Sequence, residues 1–353
     1  MKTVSLPVYD ERRGRFAQLT NRNVFVYWPH GLGDWAHLGL ILPFLERSNR
    51  YTVSRYGDDF VALFDGNAYA SPLYTGVRAI SDGSDAGARH LGVNWKRING
   101  RIRTVAVPRF EQAFEQTGFD AVLYTDYPDR AGRMKYPFHT KARALIRDLV
   151  TVTPQVLEAL DRPLSTTVSF SVDAALQADV EGRLRAYLQP GERLLLLGRG
   201  GHTNARKNWD AQEVERLRSL AGAQTPRWRI LSFEDDYAAL FGDMEVPFAL
   251  VLKALLRCAD MLIGVPAGPL HVALGYKQIP ALGIWLAHHP DWYEERSENA
   301  THLLGKPLFD MRYDRRPANT SLPQHLRNRS IEFRTQPHIT AADVWQAARE
   351  LLR

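Results

Sequence analysis

Three short stretches of this chain combine an acid or a base with closely spaced glycines, the make-up of a site that handles anions and moves protons. In the first, His30-Gly31-Leu32-Gly33-Asp34-Trp35-Ala36-His37, Asp34 stands at the mouth of a helix that follows a strand-like run at 24–28. A carboxylate there can take a proton from a reacting group or simply cap the helix, a role Asp fills well. In the second, Gly264-Val265-Pro266-Ala267-Gly268-Pro269-Leu270-His271-Val272-Ala273, an apolar strand at 261–265 turns into a helix opening at Pro269, a residue suited to a first helical turn. His271 in that first turn is either a satisfied core histidine or a donor to a phosphate oxygen.

The third stretch, 194–217, runs from a buried strand into Gly198, Gly200 and Gly201, then into a polar loop holding His202, Thr203, Asn204, Arg206 and Lys207, and then into a helix. Asp210 and Glu213 have the spacing of a capping box. A basic loop ahead of a helix can cradle phosphate, N–H groups gripping the oxygens while Lys207 and Arg206 neutralise charge. The same residues also suit an ordinary strand-to-helix connection with exposed basic side chains.

The elements around these turns predict a fold. Strand-like runs at 24–27, 51–54, 77–80 and 121–125, and again at 194–197, 229–233, 261–265 and 281–285, alternate with helical stretches. That alternation implies α/β architecture, with parallel sheets covered on both faces. Ligands of such sheets collect where strands end and helices begin, so turns in two domains are expected to face one cleft. A linker is expected within 154–191, which mixes Pro163, a Ser/Thr run and an amphipathic helix at 173–188. Residues 307–337, rich in Arg, Asn and Pro, read as a surface excursion, and 341–352 return to helical spacing. The expected domains are 1–165, 166–340 and a closing helix at 341–353.

Composition bounds the rest. The 353 residues are 45% apolar and 24% charged, the balance of a globular protein rather than a disordered one. One cysteine, Cys258, excludes an intramolecular disulfide and a thiolate zinc cluster. The first residues lack a signal-like apolar run, and the longest apolar stretch, 38–45, is too short to span a bilayer, so the expected location is cytoplasmic. The net charge of +6 is carried mainly by arginine. One cluster holds Lys96, Arg97, Arg101, Arg103 and Arg109; another holds Arg130, Arg133, Lys135, Lys141, Arg143 and Arg147; a third lies at 312–334. Arginine matches phosphate and carboxylate bidentately, although such clusters are also ordinary solvated faces.

Taken together the three stretches resemble glycosyltransferase family nine, the heptosyltransferases that build the inner core of lipopolysaccharide. Gly33, Asp34, His37 and Pro43 match the family's first-domain turn and helix, with Pro43 further on than usual. Thr203, Lys207 and Trp209 stand where the family has a Gly/Thr loop and Lys-x-Trp. Cys258, Ala259, Asp260, Gly268 and His271 represent its Cys-Ala-Asp strand and the glycine turn with histidine. Where the family has Asp then Ser or Thr before that glycine, this chain has Pro266 and Ala267, neither of which accepts a hydrogen bond from a sugar hydroxyl.

The resemblance implies a GT-B fold, two Rossmann-like parallel-sheet domains facing a central cleft, and an inverting glycosyltransferase whose donor is a nucleotide-diphosphate sugar. The first domain is then the acceptor-binding one and the second the nucleotide-sugar-binding one. Asp34 takes the place of the catalytic base; Thr203, Arg206, Lys207, Glu234, Gly268 and His271 fall to the donor. Glu234 stands where the family often binds ribose hydroxyls, unless 234–236 are a solvated turn. His37, Arg130, Arg133 and Lys135 fall to an anionic acceptor, a glycolipid before a nucleic acid, with peripheral contact at the inner face of the membrane. No Asp-x-Asp metal motif occurs, and His288 with His289 is an isolated pair, so no metal and no separate cofactor is expected.

Other classes stay open on the sequence. Gly31-x-Gly33-x-x-Ala36 fits the permissive dinucleotide fingerprint, with Arg55 placed for a 2′-phosphate, as in an NADP-dependent oxidoreductase; Asp34 inside the turn would repel its pyrophosphate. Pro266 and Ala267 also suit a catalytically inactive glycan-binding homologue, and the basic clusters suit a transferase acting on a modified nucleic-acid base.

Overall fold

A computed structural model describes residues 23–27, 32, 33, 36, 50–54, 78–80, 121–124, 171–201, 207–276, 278–286, 299–305, 333–336 and 338–353, with the strands at 23–27, 50–54, 78–80, 121–124 and 333–336 as backbone only. Two compact units emerge. The first comprises 1–31 with 37–169, and the second 32–36 with 170–353.

The first unit contains a four-stranded sheet of β1 (Asn23–Tyr27), β2 (Arg50–Ser54), β3 (Arg78–Ile80) and β4 (Ala121–Tyr124), in the order β3-β2-β1-β4. Every pairing is parallel, with Phe25 opposite Thr52 on one side and Val122 on the other. All four strands fall on the runs expected from β-branched and aromatic residues.

The second unit contains β5 (Arg193–Gly198), β6 (Trp228–Ser232), β7 (Met261–Gly264), β8 (Ala281–Trp285), β9 (Ala300–Gly305) and β10 (Phe333–Gln336), in the order β10-β9-β8-β7-β5-β6 and parallel throughout. Its described helices are α1 (Ala174–Tyr187), α2 (Ala211–Gly222), α3 (Tyr237–Phe241), α4 (Phe248–Cys258), α5 (Gly268–Tyr276) and α6 (Ala341–Leu351). Central strands of a parallel sheet are covered on both faces and so read as unbroken apolar runs. β7 and β8 are buried along their whole length, and β5 at every position after Arg193.

On one face, Leu195, Leu197, Ile263, Ile284 and Leu303 from the strands pack with Val214 and Leu217 of α2 and with Val344 and Trp345 of α6. Each such side chain contributes roughly 1.5–3 kcal/mol by leaving water. α4, which packs with α1 and α5, buries seven of its residues, including Lys253. The closing helix α6 lies against α2 inside the second unit.

Two local expectations change. Asp210 caps α2 by accepting from the Gln212 N–H, but Glu213 does not reach back to close the box, because its carboxylate is turned to Ala341. The complete capping box is instead Thr340 with Asp343 at the start of α6. Strands β9 and β10 extend the sheet beyond the four expected in this half. β10, Phe-Arg-Thr-Gln, has too little apolar pattern to stand out from the polar stretch around it.

Candidate functional site

In the second unit β5 comes first in sequence but lies between β6 and β7, so successive connections leave it in opposite directions. The crevice opened at such a switch point, beyond the carboxyl ends of the strands, is where open α/β sheets bind ligands. Three segments meet there: the loop after β5, the turn after β6 and the turn from β7 into α5. The Gly198 carbonyl accepts the Val265 N–H at 2.8 Å, and the Leu197 carbonyl accepts the Phe233 N–H at 2.9 Å.

Lys207 spans this crevice, its Nζ donating to the Pro266 carbonyl at 3.1 Å in a partly buried contact. The main-chain oxygen does here what no side chain at 266 or 267 could. An ammonium is thereby fixed beside the turn that starts α5, where aligned peptide dipoles favour anions.

At the start of the loop after β5 the N–H groups are already engaged. The N–H groups of Arg199 and Gly200 donate to the Glu234 carboxylate at 3.2 and 2.9 Å, and that of Gly201 donates to Asn208 Oδ1 at 2.9 Å. The three consecutive acids at 234–236 are likewise tied in. Asp235 pairs with the Arg199 guanidinium at 3.3 Å and accepts from the Ser232 hydroxyl at 2.8 Å; Asp236 accepts from the Ser232 N–H at 2.8 Å and from Arg218 at 2.9 Å. Burial works against ionisation of Asp235, but hydrogen bonds from Arg199 and Ser232, together with the nearby guanidinium charges, hold its carboxyl below the usual value. Glu234 remains exposed, and a carboxylate's several lone pairs leave room for a hydroxyl beyond the N–H groups it already holds.

His271 is 3% exposed, and its backbone N–H donates to the Ala267 carbonyl at 3.2 Å. Its ring lies 6.4 Å from that of Trp285, edge to face, and the Trp285 indole N–H donates to His302 Nδ1 at 2.9 Å. Residues 32 and 33 pack on the same turn. A Cβ at Gly33 would run into the His271 ring, and one at Gly268 would stand 3.0 Å from Leu32, so the two glycines ease this close approach.

Of the residues singled out in the sequence, the structure brings Lys207, Glu234, Gly268 and His271 to the carboxyl ends of β5, β6 and β7. Asp34, His37, Arg130, Arg133, Lys135, Thr203 and Arg206 lie outside the described residues. Asp260 of the Cys-Ala-Asp motif sits at the opposite end of the sheet, accepting from the Leu194 N–H at 2.8 Å and from Arg193 at 3.0 Å. Reasoning from the sequence missed Asn208 and Arg199, which shape the loop; a side-chain amide between Lys207 and Trp209 was the available signal. Among the described residues no three His, Cys, Asp or Glu gather as metal ligands, and no helix is long and apolar enough to cross a membrane.

Searches of family models and of characterised protein sequences gave no match. Solved structures did. One is a glycosyl transferase family 9 protein from Veillonella parvula, 14% identical, covering 95% of this chain and 98% of that one with a TM-score of 0.56. Another is the ADP-heptose LPS heptosyltransferase II of E. coli, 13% identical, covering 94% and 98% with a TM-score of 0.54. The fold is GT-B. Likeness over nearly the full length of both chains agrees with the α/β class and with the family resemblance read from the three glycine stretches. Within a GT-B chain the crevice at Lys207 belongs to the unit expected, from the sequence, to take the nucleotide.

Proposed function

We propose that the protein is an inverting glycosyltransferase that moves a sugar from a nucleoside-diphosphate donor to a hydroxyl of an anionic acceptor. The observation that carries this reading is Lys207, held at the β5/β7 switch point by the Pro266 carbonyl and beside the start of α5. A diphosphate in that crevice gains a charge-assisted contact from the ammonium and a favourable dipole from the helix. Arg206 and Thr203, on the same loop, add donors. Glu234, at the end of β6, takes a ribose hydroxyl, and Gly268 with His271 shapes the turn under the diphosphate.

In the proposed step Asp34 accepts the proton of the acceptor hydroxyl, whose oxygen bonds to the anomeric carbon as the carbon–oxygen bond to the diphosphate breaks. The electron pair leaves with the diphosphate, whose growing charge is met by Lys207, Arg206 and the α5 dipole without a metal ion. Attack from the face opposite the leaving group inverts the anomeric centre. His37, Arg130, Arg133 and Lys135 draw an acceptor bearing phosphates or carboxylates, a core-type glycolipid at the inner face of the membrane. Pro266 and Ala267 offer no side-chain acceptor to the sugar, so the donor sugar need not be heptose.

The test is donor hydrolysis and transfer with a panel of ADP-, GDP-, UDP- and TDP-linked sugars, on wild type and on Asp34→Asn. The variant keeps the size and capping ability of Asp34 but loses the base, so turnover should fall by roughly a hundredfold or more at unchanged donor affinity. Turnover near wild type would reduce Asp34 to a helix cap. A panel with no turnover, set beside a tightly retained nicotinamide cofactor, would replace the transferase reading.

A further inference from the structure

Trp209 follows Lys207 by two residues and is 3% exposed. Two hydrogen bonds leave it in different directions. Its backbone N–H donates to the Arg199 carbonyl at 2.8 Å, tying the far end of the loop back to the end of β5. Its indole N–H donates to the Ile339 carbonyl at 2.9 Å in a buried contact, tying the same point to the segment that leads into α6. One turn further on, Glu213, 4% exposed, accepts the Ala341 N–H at 2.7 Å and pairs with Arg216, with His338 Nε2 at 3.8 Å. The Thr340 and Asp343 capping box serves the N–H groups of residues 340 and 343 and leaves that of Ala341 to Glu213.

Filling space does not account for this arrangement. A buried indole needs a partner for its N–H, yet the same core holds Trp345, whose indole N–H meets no acceptor among the described residues. The bond from Trp209 is therefore not something this core gives to every tryptophan. It joins two segments 130 residues apart, two residues on from Lys207.

We infer that Trp209 is a positioning residue for the donor: by anchoring the loop to Arg199 on one side and Ile339 on the other, it keeps Lys207 over the Pro266 carbonyl, and Glu213 braces the same junction from α2. The inference rests on the reading that Lys207 meets the donor's diphosphate. It makes the segment before α6 part of the support of the site.

The experiment is calorimetric titration of the full chain with ADP, GDP, UDP and TDP, following the tightest binder through Trp209→Phe, Lys207→Ala and the double variant. Phe fills most of the indole's space but drops its N–H, so affinity should fall about two- to tenfold. In the Lys207→Ala background the same change should cost nothing further, because residues that act through one another are not additive. Losses that multiply, or no loss in Trp209→Phe where Lys207→Ala is impaired, would overturn the inference and leave the donor reading standing. No loss in Lys207→Ala would remove the donor reading and the inference with it. If Trp209→Phe does not fold, Glu213 substitutes: Glu213→Ala should weaken binding and Glu213→Gln, which retains an oxygen for the Ala341 N–H, should restore it. Wild-type affinity in Glu213→Ala would overturn the inference.

Discussion

The loop after β5 and the turn after β7 look alike in sequence, each a cluster of glycines between a buried strand and a helix, but they are built for different work. In the first, the N–H groups of residues 199–201, where the loop begins, are engaged by Glu234 and Asn208 as a scaffold. In the second, glycine at 268 permits the close approach of Leu32, and the Pro266 carbonyl receives Lys207 beside the start of α5. Glycine spacing alone thus does not identify an anion cradle; what decides is where the freed N–H groups go.

The strongest test of that difference is Lys207→Ala. If the ammonium over the second turn is the main charge on the diphosphate, calorimetry should show nucleoside-diphosphate affinity falling by about 1.5–3 kcal/mol. Unchanged affinity would move the diphosphate away from the second turn and erase the contrast. Glu234 sharpens it from the other side. Glu234→Ala should lower stability by about 1 kcal/mol in a thermal melt, since two loop N–H groups lose their acceptor to water. If the first loop were a blocked cradle, Glu234→Ala would also bind pyrophosphate more tightly than Glu234→Gln, which loses the charge but keeps an oxygen; equal affinity supports the scaffold.

The smallest effect concerns Asp235. Its carboxyl is held below the usual range in the folded chain, so its stabilisation is present above the unfolded value near 3.9 and is lost as pH falls through the lower folded value. Melting temperatures of Asp235→Asn and wild type should therefore converge below about pH 4. The gap at neutral pH should stay under about 1 kcal/mol, because solvent screens the exposed pair with Arg199.

Strand positions were the most legible feature of the sequence, because a fully buried parallel strand such as Leu194 to Leu197 can hardly be anything else between glycine and a charged helix. Lys207 was singled out from a basic loop ahead of a helix start, but its contact with the Pro266 carbonyl was not legible there. The roles of Glu213 and Glu234 were hidden. Spacing made one a capping residue and the family resemblance made the other a ribose ligand, with a solvated turn as the alternative, whereas long-range contacts, to Ala341 and to the loop at 199–200, engage both carboxylates. Strand β10 was hidden because its place is earned by backbone pairing with β9 rather than by apolar side chains. Local rules see only neighbours along the chain, and these contacts cross 31 to 128 residues.

The bonds from Trp209 to Ile339 and from Glu213 to Ala341 also set an order of events during synthesis. A growing chain emerges at about 5–20 residues per second, so the partners at 339 and 341 follow their mates by roughly 6–26 s. For that interval β5, β6 and α2 can assemble while the face of α2 meant for α6 stays open to water. The bonds from Trp209 and Glu213 thus form only after residue 341 has left the ribosome. Loop closure across so many residues is slow as well, which places the maturation of this site among the late steps of folding.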